Sequence, residues 1–168
     1  YRSVLNGSQE GFRRGRNTHR QLEQMILAVE DAQLSQQPLH VLYLDFENAF
    51  GSPDHDRLLE VLKYQGFAED ALAVIRDLYP GGDKETQPMM VSVRTACGET
   101  EKFPVRRGTI QGDTLSPILF ILFLDPLIHW LNSGGGGYMT ATSGVRIAAP
   151  AFADDMALLT NGIPALSR

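Results

Sequence analysis

His40-Val41-Leu42-Tyr43-Leu44-Asp45-Phe46 is a short apolar run, rich in strand-forming side chains, that carries one carboxylate near its end. It reads as a buried strand, and a strand terminus is a firm place from which to present a reactive group. A second segment has the same character. Ala151-Phe152-Ala153-Asp154-Asp155-Met156-Ala157-Leu158-Leu159 reads as strands with paired acids at or near a tight turn. Carboxylates set in apolar strand sequence are costly to desolvate unless a cation compensates them. Three acids brought together from two strands would suit a hard divalent cation such as Mg²⁺, which takes oxygen ligands from carboxylates and substrate phosphates. An Asp-Asp pair is also a common turn or capping element, so spacing alone leaves both readings open.

Around these segments the pattern alternates between helices and strands. Thr18 is placed to cap a helix with Leu22, Met25, Ile26 and Val29 on one face, ending before Pro38. Ser52-Pro53 has the chemistry of a helix start, with Leu58, Leu59, Val61 and Leu62 as the buried side and Gly66 as the stop. A helix from about Glu69 to Leu78 follows. Met89 to Thr95 and Glu101 to Val105 form a β-hairpin around Cys97-Gly98-Glu99. Thr114 to Leu131 reads as a mostly buried helix, opened by Ser116-Pro117 and closed by Asn132-Ser133-Gly134, with Gly134 to Gly137 as a loop. The expected class is α+β, a small antiparallel sheet packed on helices, with no repeat and no visible boundary inside one domain.

Composition narrows the partners. At 168 residues and 43% hydrophobic the chain can bury a core. No apolar run is expected to span a bilayer, so no membrane partner is expected. The single Cys97 excludes an internal disulfide, and His19, His40, His55 and His129 are too scattered for a zinc site. Compartment is not fixed by composition, although a reducing, intracellular one fits. The net charge of -5 argues against nucleic acid, which is held by Lys and Arg. The distribution works the other way, with Arg13, Arg14, Arg16 and Arg20 clustered early and Arg106-Arg107 later. Such clusters are also ordinary solvated surface. Gly81-Gly82-Asp83-Lys84-Glu85 departs from the Gly-Gly-Asp-Glu-Phe signature of diguanylate cyclases at its last two positions and reads as a solvated loop.

Three motifs occur in a telling order: Leu44-Asp45-Phe46-Glu47-Asn48-Ala49-Phe50, then Arg107-Gly108-Thr109-Ile110-Gln111-Gly112-Asp113-Thr114-Leu115-Ser116-Pro117-Ile118-Leu119-Phe120, then Phe152-Ala153-Asp154-Asp155. In this order the chain resembles reverse transcriptases. More narrowly it resembles those of non-LTR (LINE-type) retrotransposons, with group II intron enzymes as close relatives. Gln9 to Thr18 is similar to the fingers segment of those elements, so the resemblance runs over nearly the whole chain.

The resemblance implies a partial right-hand polymerase fold, with residues 1–39 as part of the fingers and a connecting helix and 40–168 as the palm core. It implies RNA-directed DNA polymerase activity: two-metal nucleotidyl transfer, with Mg²⁺ or Mn²⁺, from a dNTP to the 3′-hydroxyl of a DNA primer on an RNA template. Asp45 matches the first metal-binding aspartate, and Asp154 and Asp155 match the paired aspartates. Phe50 matches the bulky residue that excludes a ribose 2′-hydroxyl, and Phe46 and Gln111 complete the nucleotide-binding set. Arg13, Arg16, Arg107, Gly108, Gln111 and Gly112 match template or primer contacts. Gly51 stands where the family usually has aspartate, and Phe152 where it often has tyrosine. The chain is expected to be cut from a longer protein and, alone, to have little activity. The rival expectation is an inactive or domesticated palm-fold fragment that binds RNA or a protein partner.

Overall fold

The computed structural model describes residues 5–80, 87–110 and 112–162. In chain order the elements are α1 (His19–Ser35), β1 (His40–Leu44), a 3-10 turn (Ala49–Gly51), α2 (His55–Tyr64), α3 (Glu69–Leu78), β2 (Met89–Val91), β3 (Arg94–Thr95), β4 (Gly98–Glu99), β5 (Phe103–Val105), α4 (Ser116–Ser133), β6 (Tyr138–Met139), β7 (Arg146–Ile147), β8 (Ala151–Phe152) and β9 (Asp155–Thr160). The class is α+β with small antiparallel sheets, as expected. The chain divides into two compact units: one made of the residues up to Glu47 and from Leu124 onward, the other of Asn48–Phe123. Neither crossing has a linker's composition, so the sequence carries no sign of the boundary. One falls between Glu47 and Asn48 and the other inside α4.

In the first unit, β9 is the centre of a three-stranded sheet ordered β1-β9-β8. The ladder with β1 runs from His40↔Thr160 to Leu44↔Met156. Helix α1 contributes Ala28 and Ala32 to a core with Tyr138, Ile147, Ala157 and Leu159. Fully burying side chains as large as the last residue contributes about 1.5–3 kcal/mol each. The apolar stripe of α1 is therefore not its most buried face. Leu22, Ile26 and Val29 are 57%, 54% and 41% exposed; the small side chains, together with the buried polar Gln21 and Asp31, make the inward face. Two alanines one turn apart permit close approach, and Gln21 and Asp31 satisfy backbone groups that larger apolar residues could not. Thr18 makes no side-chain cap; Asn17 Oδ1 accepts from His19 N–H instead, at 3.0 Å. The buried reading of His40 to Phe46 also needs correcting. β1 is an edge strand, with Tyr43 73% exposed.

In the second unit, α2 and α3 pack on each other with Leu58, Leu62, Leu72 and Ile75 buried. Helix α2 starts just after Ser52-Pro53, where the Asp54 carboxylate accepts from Arg57 N–H. It ends where Phe67 N–H reaches back to Leu62 O over Gly66, whose φ is +88°. The hairpin is present but interrupted: β2 pairs with β5, β3 pairs with β4, and Ala96-Cys97 form the turn.

Helix α4 begins at Ser116, two residues later than Thr114, and continues through an internal Pro126 to Ser133. By length and composition it could cross a bilayer, contrary to the expectation that no apolar run would span one. Leu119, Phe120, Ile121, Leu122, Leu124 and Ile128 are nonetheless buried, as in a core helix. Asp125 is buried as well, accepting from Asn6 N–H at 2.6 Å.

Candidate functional site

β1 and β9 pair up to Leu44↔Met156, and the next step of that register sets Asp45 beside Asp155. Opposed residues of an antiparallel ladder lie about 4.5–5.5 Å apart at Cα, with side chains on one face. Phe152 pairs with Asp155, so Ala153 and Asp154 form the turn between β8 and β9. Ala153 has φ +56°, the left-handed region that two-residue hairpin turns use. The backbones of Asp45, Asp154 and Asp155 thus meet at one end of one sheet. Asp45 and Asp155 are exposed and Asp154 is half-buried.

Beside them opens a cleft of about 370 Å³, walled by Asp45 and Asp155 with Gln21, Met25, Tyr43 and Phe152. Among the described residues none of the three carboxylates joins an ion pair. Nor do any three His, Cys, Asp or Glu side chains there converge closely enough to hold a metal ion. Unpaired oxygen donors at the edge of a cleft fit a hard divalent cation in kind. Closing a ligand sphere takes a side-chain rotation or oxygens from a substrate.

The turn itself is held by residues that sequence reasoning passed over. Gln9, 0% exposed, donates its Nε2 to Ala153 O at 3.0 Å and accepts from Ala153 N–H at 2.8 Å. Gln21 Nε2 donates to Ala151 O at 3.0 Å and Ser8 O at 2.7 Å. Asp31 accepts from Tyr138 Oη, from the Thr142 hydroxyl and from the N–H groups of Ala141 and Thr142. The Thr142 hydroxyl, then Tyr138, hold the Asp31 carboxyl well below the usual carboxylate range, against the opposing effect of burial. Burial, then the bond to Asp31, pushes the Tyr138 phenol up. The available signal was a polar residue in register with Ala28 and Ala32 on α1. For Gln9 nothing local marks the role.

Arg13 and Arg16, expected at nucleic acid, make intramolecular bonds. Arg13 donates to Asn6 O and Gln9 O at 2.7 and 2.9 Å. Arg16 pairs with the buried Glu10, which Arg20 approaches at 3.7 Å. Phe46 is half-buried in the same unit.

In the second unit, Phe50 lies in the 3-10 turn with its ring 5.0 Å from that of Phe120. Its carbonyl accepts from Thr109 N–H at 2.7 Å, and Pro53 O accepts from Gly108 N–H at 2.7 Å. Gly108 has φ +86°, and a Cβ there would stand 2.7 Å from Gly51 Cα, so two backbones touch where the chain has two glycines. His55, 0% exposed, sets Nε2 at 2.8 Å from Gly108 O and Nδ1 at 3.0 Å from Pro80 O. Arg107 is exposed, 3.8 Å from the Asp54 carboxylate. Gly51, Val91, Arg107, Gly108, Thr109 and Ile110 line a second cleft, of about 280 Å³. Gly112, φ +99°, is exposed. Gln111 and the Gly81 to Glu85 segment lie outside the described residues.

The family model described as Reverse transcriptase (RNA-dependent DNA polymerase) matches residues 3–168. The chain is 34% identical over 124 residues to a retrovirus-related Pol polyprotein from a type-1 retrotransposable element R2 of Popillia japonica, covering 71% of this chain and 18% of the polyprotein. It is also 34% identical over 120 residues to the Pol polyprotein of the type-2 retrotransposable element R2DM of Drosophila melanogaster, covering 71% of this chain and 10% of that protein. Telomerase from Candida albicans, solved with a fragment of telomeric RNA, has a TM-score of 0.66 at 13% identity over 95% of this chain and 28% of its own. Apo telomerase from Candida tropicalis, truncated from its C-terminal domain, gives 0.56 at 13% identity over 95% of this chain and 31% of its own. At that identity the likeness is one of fold.

Proposed function

Because the chain belongs to the reverse transcriptase (RNA-dependent DNA polymerase) family, we propose that it supplies the catalytic carboxylates with which a LINE-type enzyme extends a DNA primer on an RNA template. The observation that carries this reading is the β1–β9 register, which brings Asp45 beside Asp155 with Asp154 in the adjoining turn. Asp45, Asp154 and Asp155 would hold two Mg²⁺ ions, or Mn²⁺ in their place, and bound ions supply charge neutralisation at the attacking 3′-hydroxyl and the departing pyrophosphate. The chain's own part is positioning. Phe50 faces the sugar of the dNTP and excludes a 2′-hydroxyl, with Phe46 and Gln111 completing the nucleotide contacts. Gly112 admits template backbone closely, and Gly108 and Gln111 complete the template contacts. Arg107 contributes an exposed cation, and Arg13 and Arg16 act from the N-terminal side. In this reading residues 1–39 belong to the fingers and 40–168 to the palm.

A non-polymerising palm-fold domain that binds RNA or a protein is the second reading. It is favoured by the carboxylates not converging among the described residues. One assay separates the two. A purified polypeptide carrying this chain should extend a DNA primer on an RNA template with dNTPs and Mg²⁺, and Phe50→Val should raise ribonucleotide incorporation about tenfold or more. Template binding without any extension would support the second reading.

A further inference from the structure

We propose that Gln9 is a positioning residue for the Asp154 turn: its buried carboxamide fixes both peptide groups of Ala153 and so sets the aim of the carboxylate that follows. The functional consequence rests on the polymerase reading above; the clamp itself does not. Gln9 lies 144 residues from Ala153 in sequence, yet its Oε1 accepts from Ala153 N–H and its Nε2 donates to Ala153 O. One side chain thereby copies a rung of a β-ladder at the point where the hairpin turns and no strand can supply one. The same Oε1 accepts from Gly11 N–H at 2.8 Å.

The Gln9 backbone is itself fixed. It bridges in parallel to Ala151, Glu10 N–H donates to Ala151 O, and Ala151 N–H donates to Ser8 O. Gly11 completes the fit, because a Cβ there would collide with Ala153 N and lie 2.8 Å from Ala153 Cα. Ala153 is held in a left-handed conformation, φ +56°, that a non-glycine residue adopts only when its surroundings enforce it. Asp154 is bonded directly to the carbonyl that Gln9 grips, so release of the clamp frees the peptide plane on which its carboxylate is mounted.

The test compares the polypeptide carrying this chain as wild type, Gln9→Met and Gln9→Glu, with Asp154→Asn as control. Methionine keeps the length of the side chain and removes its three hydrogen bonds, whereas ionised glutamate keeps both acceptances and replaces the donation to Ala153 O by a carboxylate oxygen that repels that carbonyl. Gln9→Met should speed hydrogen exchange at Ala153 N–H about tenfold without metal, weaken Mn²⁺ binding about tenfold and lower kcat for primer extension by a similar factor, with KM for dNTP nearly unchanged. Gln9→Glu should show the Mn²⁺ and kcat effects without the exchange effect. Wild-type Ala153 exchange and Mn²⁺ binding in Gln9→Met would overturn the proposal. If Gln9→Met does not fold, unaltered Mn²⁺ binding and kcat in Gln9→Glu would overturn it. A wild-type protein that extends no primer would sink the polymerase reading, and Ala153 exchange would still decide the clamp.

Discussion

The unit that carries Asp45, Asp154 and Asp155 is knitted by buried polar side chains: Gln9 grips Ala153, Gln21 ties Ala151 to Ser8, and Asp31 collects the loop at Ala141 and Thr142. The unit of residues 48–123 is filled largely by apolar packing, with Leu58, Leu62, Leu72 and Ile75 between its helices. Its hairpin strands are mostly exposed. Apolar packing fixes where an element lies but is indifferent to the rotation of a peptide plane, whereas a hydrogen bond is directional. A carboxylate on a turn needs the second kind of control. The apolar unit also uses it at candidate residues, where His55 faces the carbonyl of Gly108 and Thr109 N–H donates to Phe50 O.

The comparison can be broken at the backbone. Gly108→Ala combines a left-handed conformation with a clash on Gly51, so it should destabilise the second unit by about 3 kcal/mol and lower its denaturant midpoint. Unchanged stability would mean the close contact of the two glycines can relax freely. A smaller and pH-dependent effect belongs to Asp31. Its carboxyl is depressed in the folded state, so its contribution is fully present above the unfolded carboxylate range, about pH 4, and is lost as pH falls through the folded value. Asp31→Asn should therefore lower the thermal midpoint at neutral pH and flatten the acid limb of stability against pH. An acid limb parallel to wild type would contradict the hydrogen-bond account. Least of all is expected from Gly51→Asp. Its Cβ would meet the Asn48 carboxamide, the mobile end of a side chain, and the residue does not need a positive φ. A stability change within about 1 kcal/mol is expected, and a larger loss would show that Asn48 cannot move aside.

Much of this architecture was legible in local pattern. Helix α3 spans the residues expected of it, Gly66 ends α2 where a left-handed glycine should, and the Asp-Asp pair borders a two-residue turn. Legibility stopped where tertiary contact decides. The periodicity of Leu22, Met25, Ile26 and Val29 marked an apolar stripe but could not reveal that Ala28 and Ala32 would take the close approach. Strand formers in His40 to Phe46 could not tell an edge strand from a central one. The metal-ligand assignment came from motif order; the register brings the backbones together, while among the described residues no three such side chains converge on a metal site. Gln9 was invisible as a clamp because its partner lies at the other end of the chain.

On the proposed function, the end of the β1–β9–β8 sheet is a polymerase centre. The most direct measurement is RNA-templated primer extension with Mg²⁺ by the Asp154→Asn variant, after its fold and primer–template binding are matched to wild type. A loss of about a thousandfold or more in kcat is expected, with template binding nearly unchanged. Extension at the wild-type rate by that variant would contradict it.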